Sequence, residues 1–152
     1  MTNIILKYVV KNEQVLREFL LENNISRKTL TRIKFDSDGS IKVNGREENV
    51  RYLLKENDIV EITLPSENFS EFVRFIDKEI EIIYEDSYFL IVNKGINLPS
   101  IPSRNLEDES LLERVNYYFK NKNINTIPHI VTRLDKNTSG LVLIAKHRHI
   151  HA

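Results

Sequence analysis

The string Arg133-Leu134-Asp135-Lys136-Asn137-Thr138-Ser139-Gly140 sets one carboxylate between two cations and places two hydroxyls after it, just before the apolar run Leu141 to Ala145. Nearby positive charge favours the ionised form of a carboxylic acid. An ionised Asp held at the entrance of a buried strand has the character of a nucleophile, with Thr138 or Ser139 placed to orient it. The same residues also suit an Asx-turn, in which Asp135 caps its own loop and Arg133 is only solvated.

A second group is basic. Residues 26–46 carry Arg27, Lys28, Arg32, Lys34, Lys42 and Arg46 against two Asp, whereas residues 47–90 hold twelve acidic side chains against four basic ones. From 114 to 152 there are seven basic residues and Asp135 alone on the acidic side. The 152-residue chain has 22 Lys+Arg and 22 Asp+Glu, so its neutrality conceals blocks of one sign. Such blocks make local fields that attract phosphate, unless they cancel in space after folding. His147, His149 and His151 alternate; on a strand they would share one face and suit a metal. A helix, which points them in different directions, is the expectation, and no metal site is assigned.

The elements that must position these groups read as follows. Asn3 to Val10 is β-branched and apolar, a strand. Asn12 caps a helix from Glu13 to about Glu22, and Ser26 caps a second that runs to about Lys34, with Leu30 and Ile33 inward and Lys28 and Arg32 one turn apart. Ile41 to Val43 leads into Asn44-Gly45, a strong hairpin signal, and Asp58 to Leu64 is a further strand. Ile80 to Tyr84 and Tyr88 to Asn93 form a hairpin. A loop with Gly95, Pro99 and Pro102 precedes a helix from about Glu109 to Lys120, whose Leu111, Leu112, Val115, Tyr118 and Phe119 share a face. Leu141 to Ala145 is a buried strand. The fold class is α+β, divided as 1–66, a linker at 67–78, and 79–152.

Composition narrows the chemistry. Cys is absent, which removes disulfides, zinc fingers and thiol catalysis. No apolar run approaches the ~20 residues of a membrane span, no nucleotide-binding glycine loop is present, and a cytoplasmic protein is the simplest expectation. Physically, a short helix bearing Arg27, Lys28, Arg32 and Lys34 beside a hairpin bearing Lys42 and Arg46 makes a ledge suited to the phosphates and shape of a folded RNA.

Two resemblances give these patterns a family. The order helix, ISRKTLTRIK, GSIKVNG and LKENDIVEI, over roughly residues 13–64, resembles the alpha-L or S-four-like RNA-binding module. In that family the helical ledge grips RNA, which carries over to Ser26, Arg27, Lys28, Arg32 and Lys34. The strings IIYEDSYFLIVNK and RLDKNTSGLVLIAK resemble the RluA-like pseudouridine synthases of large-subunit ribosomal RNA. That resemblance implies a mixed, antiparallel-sheet catalytic domain and an isomerase that converts a uridine of RNA to pseudouridine. It further implies Asp135 as nucleophile, Arg133 as the residue that enters the RNA stack and supports the flipped nucleotide, and no metal or organic cofactor. A monomer is expected.

The chain departs from the family pattern in four places. Thr132 stands where His is usual, Gly95 where the lysine is usually followed by Pro, and Asn97 near a usual Gly. Catalytic domains of this family also run well beyond the aspartate motif and there supply a Tyr, a basic partner for the Asp and an aliphatic wall. The chain is thus expected to hold an incomplete catalytic domain, with Leu141 to Ala145 short of sheet partners. The alternative function is a catalytically inactive RNA-binding module.

Overall fold

At Asn44 and Gly45 the backbone turns with φ of 51° and 84°, the paired left-handed conformation of a type I′ hairpin turn. The structure is a computed structural model that describes residues 3–103 and 108–151. The chain divides into two units, with the boundary between Ser66 and Glu67.

In the first unit the Asn44-Gly45 turn joins β3 (Ser40–Val43) to β4 (Arg46–Glu47). Strands β1 (Ile5–Val9) and β6 (Ile59–Thr63) complete an antiparallel sheet in the order β1-β6-β3-β4. A two-residue pairing of β2 (Gln14–Val15) with β5 (Leu53–Leu54) lies outside it. Helix α1 runs from Leu16 to Glu22 and α2 from Arg27 to Phe35. Leu16, Phe19, Leu20, Ile25, Ile33, Val43, Leu54, Val60 and Ile62 are buried in this unit. The first helix corrects the expectation of an Asn12 cap. Gln14 and Val15 are spent on β-pairing, so the helix opens at Leu16 behind Val15, which makes no side-chain cap. Ser26 caps α2 as expected, its Oγ accepting the Thr29 N–H at 3.1 Å.

The second unit is a four-stranded antiparallel sheet in the order β7-β8-β10-β9, with one helix of three turns. Its strands are β7 (Glu81–Glu85), β8 (Phe89–Lys94), β9 (His129–Ile130) and β10 (Gly140–Ala145); the helices are α3 (Leu111–Asn121) and α4 (Arg148–His151). The turn between β7 and β8 is closed by Asp86, whose carboxylate accepts the N–H groups of Tyr88 and Phe89, both at 2.7 Å. Leu90, Val92, Val142 and Ile144 of the two central strands pack with Leu111, Val115 and Phe119 of α3 and with Leu98. Strand β10 does not lack partners: it pairs with β8 along its whole length and with β9 at Ile144 and Ala145. The two-residue β9 carries too little pattern to be read from sequence. Among the described residues, no helix is long and apolar enough to cross a membrane.

Residues 67–78, read above as a linker, belong to the second unit and are tied into it by buried charge. Glu113 sits in the first turn of α3 and is 1% exposed. It closes a capping box with Ser110, a Ser-x-x-Glu signature present in the sequence and overlooked there. Its carboxylate also takes the Arg74 guanidinium. Nearer the boundary, Glu67 receives His129 Nε2 at 3.1 Å on each oxygen, together with the Ile127 and Arg148 N–H groups. Burial alone would raise the Glu67 carboxyl; the His129 hydrogen bond and the charges of His147 and His129 outweigh it and hold it below its ordinary value.

Two outcomes follow for stability. Glu113→Ala strands the Arg74 and Ser110 donors and is expected to cost about 2–4 kcal/mol in urea unfolding; a loss below 1 kcal/mol would show that Arg74 and Ser110 find water instead. Because the folded-state pKa of Glu67 is depressed, its stabilisation is present above the ordinary value of 4.5 and disappears as pH falls through the folded value. Unfolding free energy measured from pH 6 to pH 3 should therefore fall less steeply in Glu67→Gln than in the parent chain.

Candidate functional site

Asp135 lies in the loop that leaves β9 and returns as β10. The β9–β10 pairing is prolonged past Ile130 by Val131 N–H to Leu143 C=O at 2.9 Å and by Leu143 N–H to Thr132 Oγ1 at 3.1 Å. Thr132, the residue standing in place of the usual His, thus ends the ladder with its hydroxyl. Beyond it a turn closes between the Thr138 N–H and the Asp135 C=O at 3.0 Å, with Asp at the first turn position that it favours. The chain re-enters the sheet at Gly140, whose φ of 139° lies in a region L side chains rarely adopt.

The Asx-turn reading and the nucleophile reading part company here. The turn uses the Asp135 backbone carbonyl. Among the described residues no hydrogen bond reaches its carboxylate, which is exposed. Neither the Thr138 nor the Ser139 hydroxyl orients it, contrary to expectation. The flanking cations do not pair with it either: Lys136 Nζ turns to Asp108 at 3.2 Å, and Arg133 is exposed with no ion pair among the described residues.

The cation that does act on Asp135 is Lys94, a residue the sequence reading passed over as the end of a strand. It is 1% exposed, and its ammonium donates to the carbonyls of Gly95 at 2.9 Å, Leu98 at 2.7 Å and Lys136 at 3.3 Å. Burial pushes this ammonium below its ordinary value, and the charge of Asp135 pulls it back up. The ammonium is held by three neutral carbonyls and makes no ion pair among the described residues. The loop bearing Lys94's acceptors turns at Asn97, φ 59°, where Asn supplies the left-handed backbone for which a Gly is usual. At Gly95 an added Cβ would meet nothing within 4 Å.

In the first unit Arg27, Lys28, Arg32, Lys34, Lys42 and Arg46 are all exposed. Ser26 is spent on its cap. Arg27 and Lys34 come together with Arg17 on the rim of a groove of about 560 Å³, floored by Leu30, Ile33, Ile41 and Val50 and bordered by Glu47 and Glu48. Lys28, Arg32, Lys42 and Arg46 do not line it. Arg17 was missed because it lies on α1, and nothing in its sequence spacing ties it to α2. Among the described residues no three His, Asp or Glu side chains converge as a metal site; His149 and His151 lie on α4 and His147 just before it.

Comparison with known proteins supplies the family. Residues 88–152, which include β8, α3, the Asp135 loop and β10, match the family model described as RNA pseudouridylate synthase. An uncharacterized RNA pseudouridine synthase of Bacillus subtilis, YjbO, is 36% identical over 137 residues, covering 90% of this chain and 48% of its own length; a match that long extends into both units. Ribosomal large subunit pseudouridine synthase C of Buchnera aphidicola is 33% identical over 84% of this chain and 44% of its own length. Synthase D of another Buchnera aphidicola is 42% identical over 44% of this chain and 22% of its own length. The chain therefore spans less than half the length of each of these relatives. By family, the chain belongs with the RNA pseudouridine synthases, which are isomerases.

Proposed function

We propose that this chain carries the RNA-binding unit and the aspartate-bearing part of a synthase that converts a uridine of ribosomal RNA to pseudouridine, with Asp135 as the nucleophile. The observation that carries this reading is the exposed Asp135 carboxylate, free of hydrogen bonds among the described residues, on a loop held by the buried Lys94 ammonium at the Lys136 carbonyl. A structural cap would consume the carboxylate; a nucleophile needs it open. In the proposed reaction the uridine leaves the RNA stack, an unstacking step that costs a few kcal/mol. Arg133, exposed two residues before Asp135, stands in for the extruded nucleotide. The Asp135 carboxylate bonds to ribose C1′ as the bond from C1′ to uracil N1 breaks, the base turns, and C5 displaces the carboxylate to rejoin C1′. The C5 proton passes to solvent and N1 ends protonated, so no redox partner or metal is called for.

The first unit serves as the S-four-like module, residues 1–66, through Arg27, Lys28, Arg32, Lys34, Lys42 and Arg46, with Ser26 shaping the helix that presents them. Support comes from their shared exposure and from the names of the ribosomal RNA enzymes that this chain resembles. The protein works in the cytoplasm, where ribosomal RNA is found. A second reading, an RNA-binding module without catalysis, is favoured by those six exposed cations of the first unit, which suit RNA whether or not Asp135 reacts.

Tritium release from ribosomal RNA labelled at uridine C5 separates the two. Release that falls by at least about a thousandfold in Asp135→Asn supports the synthase, since removal of a covalent nucleophile commonly costs that much or more; equal rates in both chains would end the nucleophile assignment. RNA binding is tested independently by the dependence of affinity on salt. Arg27→Ala and Arg32→Ala should each weaken binding and lower the log–log salt slope by about one, and a salt-independent affinity would refute the ledge.

A further inference from the structure

Asp135 has no side-chain hydrogen bond of its own among the described residues, so the hydrogen bonds that position it are those of its backbone and its neighbours'. That backbone is gripped on both sides by one short segment, Leu98 to Ser100. On the far side, Leu98 N–H donates to Lys136 C=O at 3.1 Å, the carbonyl that Lys94 also reaches. On the near side a side chain does the holding. The Ser100 hydroxyl donates to Leu134 C=O at 2.6 Å and accepts the Leu134 N–H at 3.1 Å. Between them stands Pro99, which has no N–H to offer to an ordinary ladder. The hydroxyl thus satisfies both backbone groups of the residue before Asp135, a pairing that no apolar side chain supplies.

Ser100 is itself immobilised. It is 4% exposed, and its carbonyl accepts the Leu112 N–H at 3.0 Å while the Pro99 carbonyl accepts that of Leu111 at 2.8 Å. These are the first two residues of α3, and Leu111 belongs to the core of the second unit. A continuous line of restraint therefore runs from the core through the start of α3 to Ser100, then to Leu134 and Asp135. We propose that Ser100 is a positioning residue for Asp135, fixing the peptide on its N-terminal side so that the carboxylate is held ready for the sugar–base bond. Its consequence for catalysis rests on the synthase reading given above; the restraint on the loop does not.

The test uses the full chain with Ser100→Ala, Ser100→Thr and, as a control for stability alone, Asp86→Ala, which opens the β7–β8 turn at the end of β8 away from Leu134. Two readouts are taken: amide hydrogen exchange at Leu134, and kcat and KM for tritium release from ribosomal RNA labelled at uridine C5. In Ser100→Ala, Leu134 should exchange at least tenfold faster while the β10 amides keep their protection. Its kcat should fall ~10- to 100-fold, the scale of a misplacement of about 1 Å, with KM unchanged. Ser100→Thr, which keeps the hydroxyl, should restore both. The proposal is overturned if Leu134 exchange does not change in Ser100→Ala, or if Asp86→Ala, at an equal loss of Tm, lowers kcat as far. Absence of release from the parent chain would instead defeat the synthase reading, and the Leu134 exchange rates would then decide the role of Ser100 by themselves.

Discussion

The register of β10 on β8 governs the second unit. Gly140 lies opposite Lys94 and Ala145 opposite Phe89, so the Asp135 loop that enters β10 and the loop that leaves β8 emerge at the same end of the sheet. Only because of that pairing does the Lys94 side chain, folded under its own strand end, reach the carbonyl of Lys136. A slip of one residue would turn Val142 and Ile144 out of the core and Leu141 into it. The burial of Leu90, Val92, Val142 and Ile144 is thus what pins the loop as well as the sheet. Each apolar side chain of that size contributes ~1.5–3 kcal/mol on burial, ample to fix a register.

Around this frame, loops are held by buried polar groups more than by apolar contact. Glu113 binds Arg74 and the Ser110 cap, Glu67 binds His129 and two backbone N–H groups, and Lys94 binds three carbonyls. Tyr118, raised to about 12 by burial and by its bond to Glu85, extends the pattern; Glu85 also takes Lys146 at 2.8 Å. Such groups are costly to bury unless every hydrogen bond is made, and each therefore tolerates few other arrangements of the segment it holds. Precision in the Asp135 loop is a product of this satisfaction.

The first unit is built differently. Its basic side chains are on the outside: those of α2 and of the β3–β4 hairpin are exposed. Around the Asp135 loop the arrangement is reversed. One buried ammonium holds the carbonyl of Lys136, next to the exposed Asp135, and the Lys136 side chain turns to Asp108.

By itself, the sequence determined the type and order of the longer elements, the caps and turns at Ser26 and Asn44-Gly45, the position of Asp135 in a loop before a buried strand, and the family resemblance. These are local properties, set by periodicity, turn chemistry and short strings. Tertiary structure decided the rest. The short pairs β2–β5 and β9–β10 shifted the start of α1 and gave Leu141 to Ala145 its second neighbour, because a two-residue strand exists only through its partner. Arg17 joined Arg27 and Lys34 at one groove, although it lies on a different helix with no shared sequence spacing. Lys94 and Ser100 reach the Asp135 loop from 42 and 34 residues away, and a hydrogen bond between such distant residues leaves no periodic trace in the chain.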